Sequence, residues 1–148
     1  MSMEHLYKTG SLRITTPNYW FDVTQNVEEF NPPFTLARPD GAGVIQFSIA
    51  EYQSGSVPKI TLDELSNLLA DFAQQHKLGR GYGFASHENI LLIAAASFDF
   101  GDRYFRIWYC SDGESIVLVT YNCERGQQEA ESVDCERIVR SLAFETES

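Results

Sequence analysis

Apolar and polar positions change period several times along the chain, and each change marks an element. Residues 12–15 alternate weakly, as a strand would. Residues 17–20 then turn the chain into a short strand over 21–24, and residues 34–38 form another. Asp40-Gly41 is a strong turn signal. In residues 44–52, Ile45, Phe47 and Ile49 alternate with Gln46 and Ser48, the signature of a half-buried strand. The stretches Asn31-Pro32-Pro33 and Ser54-Gly55-Ser56-Val57-Pro58 read as turns. Residues 61–76 carry the clearest helical pattern. Leu62, Leu65, Leu68, Leu69 and Phe72 share one stripe, Thr61 and Glu64 have capping-box spacing, and Gly79 offers a stop. Residues 79–83 are expected to be a flexible connection.

Residues 90–100 begin apolar on both sides, with Ile90, Leu92 and Ala94 alternating against Leu91, Ile93 and Ala95. That predicts a central strand covered on both faces. Residues 103–110 and 115–123 form the clearest hairpin, joined through Ser111-Asp112-Gly113-Glu114. A last helix over about 129–142 places Cys135, Ile138, Val139 and Leu142 on one stripe. The fold class expected is α+β: a central antiparallel β-sheet with one amphipathic helix packed on each side, an α/β/α sandwich.

This order of elements resembles the Mog1/PsbP-like fold. The resemblance rests on Pro17-Asn18-Tyr19-Trp20 after an N-terminal strand, the strand through Gly43-Val44-Ile45-Gln46-Phe47-Ser48-Ile49 and the helix from Thr61. It continues through the long hairpin centred on Asp112-Gly113 and the closing Ile138-Val139-Arg140-Ser141-Leu142-Ala143-Phe144. It spans most of the chain and implies an accessory or binding role. It carries over no catalytic residue.

Length and composition narrow the function classes. The 148 residues suit one domain, with no internal repeat, low-complexity tract or dividing linker. Ten Phe, seven Tyr and two Trp belong to a folded chain. The net charge of −10 argues against nucleic acid and against an anionic membrane surface, and favours a basic protein partner. The N-terminus has no apolar run of signal-peptide length, the longest apolar run is residues 90–96, and three cysteines make no disulfide framework. The simplest expectation is a cytoplasmic protein with reduced thiols.

The candidate chemistry is sparse. His5, His76 and His87 lack metal-ligand spacing, so no metal or cofactor is expected. Cys110 and Cys123 end successive hairpin strands and are expected near each other. They read as buried thiols, as does Cys135, unless His87 approaches to act as a base. Gly79-Arg80-Gly81-Tyr82-Gly83 looks like a phosphate loop, but it follows a helix and leads to a strand, the reverse of what phosphate binding requires. Arg80 and Tyr82 there are candidates for contact with a protein partner. Asp99, Asp102, Arg103 and Arg106 gather around Gly101, where ion pairing is expected. Trp20, Tyr104, Trp108 and Tyr109 are anchor candidates if exposed. The C-terminal part is rich in acids, of which Asp112, Glu114, Glu129, Glu131 and Asp134 are candidates for capturing a basic surface. Small acidic cytosolic domains of this shape resemble, as a class, the immunity proteins of bacterial toxin systems. The leading expectation is therefore a non-catalytic immunity protein that neutralises a toxin or effector. The alternatives are a Mog1/PsbP-like accessory or chaperone-like factor, and a small-ligand binder or small enzyme with a pocket between sheet and helix.

Overall fold

A computed structural model of the chain describes residues 4–50 and 59–145. The turn read at residues 54–58 and the end of the strand read over 44–52 lie outside them. Ten strands and two helices follow one another as β1 (Glu4–Thr9), β2 (Leu12–Pro17), β3 (Phe21–Asp22), β4 (Phe34–Ala37), β5 (Gly43–Ala50), α1 (Leu62–Gln75), β6 (Tyr82–Glu88), β7 (Leu92–Phe100), β8 (Arg103–Ser111), β9 (Ile116–Glu124), α2 (Ser132–Arg140) and β10 (Ala143–Phe144). Seven strands form one antiparallel sheet in the order β3-β4-β5-β9-β8-β7-β6, and β1-β2-β10 form a second, smaller sheet. α1 lies in the chain between β5, third in the sheet, and β6 at the far edge. The meander β6-β7-β8-β9 then returns the chain to β5, where Ile45 pairs with Tyr121 and Phe47 with Val119.

Period-two alternation in β7, β8 and β9 sends side chains to two different cores. On one face, Ile93, Trp108, Cys110, Val117, Val119 and Tyr121 meet Cys135, Ile138 and Val139 of α2, together with Leu12 and Ile14 of β2. On the other, Ala94 and Ala96 of β7 and Ile107 of β8 meet Leu65 and Leu69 of α1, in two smaller clusters. The molecule is thus an α/β/α sandwich in which one outer layer is α1 and the other is shared by α2 and the small sheet. Ser141 at the end of α2 ties that layer together, its hydroxyl donating to the Thr15 carbonyl at 3.0 Å and accepting from the Thr15 N–H at 3.0 Å.

Helix α1 begins as its capping box predicts, with Thr61 Oγ1 accepting from the Glu64 N–H at 3.3 Å. It stops earlier than Gly79. The Lys77 N–H bonds to the Gln74 carbonyl and the Leu78 N–H to the Ala73 carbonyl, a Schellman stop. Its left-handed position, φ 53°, is held by Lys77.

Several expectations need correction. The glycine-bearing connection, expected to be flexible, opens strand β6, which also carries His87. Ile90 is fully outside the central strand, exposed in the β6–β7 turn, because a two-sided apolar run cannot show by periodicity where a strand starts. His5 lies on β1, a strand the sequence pattern did not mark, with its Nδ1 3.1 Å from the Tyr7 hydroxyl. Cys110 stands opposite Val117, whereas Cys123 stands opposite Tyr104, about 20 Å along the ladder at the usual rise per residue. The two thiols are not neighbours.

Candidate functional site

The charged and aromatic residues singled out in the sequence separate into two groups: those that hold the fold together and those that stand on its surface. Glu131 belongs to the first. Its side chain is fully buried at the start of α2, where Oε1 accepts from the Tyr121 hydroxyl at 2.7 Å and from the Gly43 N–H at 2.9 Å. Oε2 lies 3.7 Å from the Arg38 guanidinium. The approach is close enough to need glycine: a Cβ on Gly41 would come within 2.5 Å of Glu131 Oε2, and one on Gly43 within 2.2 Å of the Asn122 carbonyl. Burial and the Glu131 carboxylate both push the Tyr121 phenol up. Asp134 accepts from the indole N–H of Trp20 at 3.1 Å. Glu136 does the same for Trp108 at 3.3 Å, while pairing with Arg106 at 3.3 Å.

Arg106 therefore finds its partner on α2 rather than in the acids around Gly101. It also donates to the Gly83 carbonyl at 2.6 Å and to Ser97 Oγ at 3.0 Å. Arg103 bonds Asn122, and Asp99 accepts from the Tyr82 hydroxyl at 2.7 Å. Trp20 and Trp108, read as possible anchors, are core residues, and Tyr104 is buried.

The remaining acids do not share a surface. Asp112 and Glu114 lie at the β8–β9 turn, where Asp112 Oδ1 accepts the N–H groups of Glu114 and Ser115. Glu129 lies beyond the opposite end of the same hairpin, about 25 Å away along the strands.

Nor do the nucleophile and base candidates converge. Cys110, Cys123 and Cys135 are buried, and burial pushes all three thiols up, away from the reactive thiolate. His87 and Cys110 share a sheet face, but Ile93 of β7 stands between them, two strand spacings or about 10 Å apart. His76 stacks on Phe72, with ring centroids 4.2 Å apart. Among the described residues no three His, Cys, Asp or Glu side chains gather as a metal site would require. No helix among them is long and apolar enough to cross a membrane.

The surface feature that stands out is a pocket between sheet and helix, as one of the alternative readings required, although the sequence did not name the residues that line it. α1 packs over β7 and β8 and leaves β6 uncovered, so a cleft of about 690 Å³ opens between the helix and the sheet edge. Leu69 and Ala73 form the helix wall, Ala94 and Phe98 the floor, and Phe84 the strand wall, with Lys77 among the lining side chains. His87, Cys110 and Cys123 do not line it. A register shift between Tyr82 and Ala85 puts Gly83 at φ 60° and carries Phe84 to the cleft side. Gly81 is a close approach, since a Cβ there would lie 2.8 Å from the Phe98 ring. Phe84 is 71% exposed; Phe100 and Tyr82 are about half exposed but do not line the cleft, and the Tyr82 hydroxyl turns to Asp99. Arg80 and Tyr82, chosen from the sequence, flank Gly81 at the end of the cleft without lining it. Phe84 was missed because a lone aromatic after three glycines carries no periodicity.

No family model matches the chain, and no curated protein does. Solved structures do. The solution structure of cyanobacterial PsbP (CyanoP) from Synechocystis sp. PCC 6803 superimposes with a TM-score of 0.66 at 11% identity, covering 97% of this chain and 94% of that one. A point mutant of the protein Mog1 gives 0.60 at 8% identity, covering 97% and 96%. A crystal structure from Bacteroides thetaiotaomicron gives 0.60 at 13% identity, covering 93% of this chain; the match spans 46% of that longer chain. At these identities the likeness is one of architecture: the chain has the Mog1/PsbP-like fold.

Proposed function

We propose that this chain is a non-catalytic accessory domain that binds a partner protein through the corner between α1 and β6. The observation that carries the reading is the exposed Phe84 on the wall of an open apolar cleft, beside an uncovered sheet edge. Aromatic side chains beside a cleft supply interface energy, and contiguous exposed apolar surface marks interaction sites. The accessory role implied by the fold resemblance agrees with it. Capture of a toxin by an acidic face has less support, because Glu131 is buried, Asp134 is bonded to Trp20, and Asp112 and Glu114 lie far from Glu129.

The test is a tagged pull-down from lysate of the source organism, washed at low and at high salt, with the wild-type chain and Phe84→Ser side by side. The expected result is one stoichiometric partner retained at high salt by the wild type and lost with Phe84→Ser, since apolar contacts do not weaken as screening rises. A partner held equally by both chains, or released by salt and by Asp112→Asn with Glu114→Gln, would replace this reading with a charge-steered one.

A further inference from the structure

The two edges of the seven-stranded sheet are finished differently. Exposed edges invite pairing with another chain and are normally blunted. β3 does so by being two residues long. β6 runs for seven residues, every one of them exposed, and among the described residues only β7 pairs with it. In an antiparallel ladder alternate N–H and C=O groups point away from the neighbour, so the outer edge of β6 offers backbone groups that no strand of this chain takes up. The cleft adjoins that edge, and Phe84 and Ser86 belong to both.

The charge at this corner is the reverse of the molecule's. In a chain of net charge −10, Lys77 and Arg80 make no ion pair among the described residues. Lys77 lines the cleft from a left-handed backbone position that glycine would occupy without steric penalty. Lysine there places a cation beside the cleft at a conformational disadvantage.

We infer that this corner takes an extended segment of the partner, added to β6 as an eighth strand, with an apolar side chain in the cleft and an acidic residue against Lys77 and Arg80. The inference rests on the protein-binding reading above and names the partner's chemistry. Strand addition draws affinity from main-chain hydrogen bonds and specificity from pockets for alternate side chains, and β6 supplies both. A helix would fill the cleft but leave the edge groups of β6 unused. A second copy of the chain would bring another −10 charges against the first. The register shift ends at Ala85, so the added strand pairs over residues 85–88.

The test uses the isotope-labelled full chain and blocked ten-residue peptides of alternating Leu and Thr. One ends in two Glu, one in two Lys, and one repeats the Glu version with Pro at alternate positions, which cannot donate to a ladder. The Glu-ended peptide is expected to shift the amides of residues 85–88 most and slow their solvent exchange. The Lys-ended peptide binds at least tenfold more weakly, and the Pro version leaves β6 unmoved. Combining Lys77→Gln with Arg80→Gln removes the difference between Glu and Lys ends. Silent β6 amides with every peptide, or a Pro peptide that binds as well as the unbroken one, would overturn the strand addition. If the pull-down partner is still captured and lost with Phe84→Ser while those amides stay silent, strand addition alone fails and partner binding at this corner stands.

Discussion

The two faces of the seven-stranded sheet are built from the same three strands and finished in opposite ways. The face toward α2 is sealed by a helix and a second sheet, its indole N–H groups are taken up by Asp134 and Glu136, and its buried carboxylate accepts two hydrogen bonds on one oxygen while the other, without a hydrogen bond, lies 3.7 Å from Arg38. The face toward α1 has two small apolar clusters and then stops, leaving β6 bare. Polar side chains on the first face are spent inside the molecule; on the second, cations and aromatic rings stand free beside a cleft. The difference teaches that net charge does not say where an acid stands: Glu131 and Asp134 are bonded inside the fold. Glu131, Asp134 and Glu136 act as acceptors that hold α2 to the rest of the fold, and the corner proposed for a partner is apolar with Lys77 at its end.

The largest expected effect lies at Glu131. Glu131→Ala leaves the Tyr121 hydroxyl and the Gly43 N–H without their acceptor and the half-buried Arg38 without its ion-pair partner, and a buried donor left unsatisfied costs about 1–3 kcal/mol, or about 4 kcal/mol for the two. Denaturant unfolding should show the midpoint falling by that amount. Loss of less than about 1 kcal/mol would mean that water enters and accepts from the freed donors.

Truncation in the two cores compares the faces directly. Ile138 is fully buried on α2 among large neighbours, whereas Leu69 on α1 borders the open cleft. Ile138→Ala should cost about 4 kcal/mol, near the upper end of the range for buried aliphatic truncations, and Leu69→Ala about 2 kcal/mol, because a side chain at a cleft wall leaves less sealed void. Equal losses would mean that the α1 face is as tightly closed as the other.

A stabilising change is expected on the open side. Lys77→Gly removes the left-handed strain of a side-chain-bearing residue and should raise stability by about 1 kcal/mol. The same change removes the cation beside the cleft, so stability and preference for an acidic segment should move in opposite directions. If stability does not rise, Lys77 makes a compensating contact in the folded chain.

What the sequence revealed and what it concealed follow the same division. Elements with a strong period were legible: the α1 stripe, the hairpin of β8 and β9, and the stripe of Cys135, Ile138, Val139 and Leu142, all buried. Strand β6 was not, because alternation arises when one side is buried, and none of its residues is. β1 was concealed in a similar way, its side chains being no more than half-buried. The helix stop was misplaced because glycine is the usual left-handed residue and Lys77 takes that position here. Half of the candidate corner, Arg80 and Tyr82, came from loop chemistry. The cleft itself depends on where α1 lies across the sheet, which no local pattern encodes.

Two tyrosine–carboxylate pairs of equal length close the comparison at the smallest scale. Tyr121 donates to Glu131 and Tyr82 to Asp99, each at 2.7 Å, but the first pair is buried and the second exposed. Partial burial, then the Asp99 hydrogen bond, push the Tyr82 phenol up to about 12 from its usual 10.0. A raised pKa means that the folded state holds the proton more tightly than the unfolded chain. The contribution is therefore complete below pH 10 and is lost as the pH climbs through about 12. Other tyrosines are shifted the same way, so the effect of this one must be read as a difference. Wild type should be more stable than Tyr82→Phe by a few tenths of a kcal/mol near pH 8, as expected for an exposed hydrogen bond. The gap should close and then reverse as Tyr82 ionises beside Asp99. A gap independent of pH would show that the hydroxyl is not held by Asp99 and that the start of β6 is fixed by Gly83 and Arg106 instead.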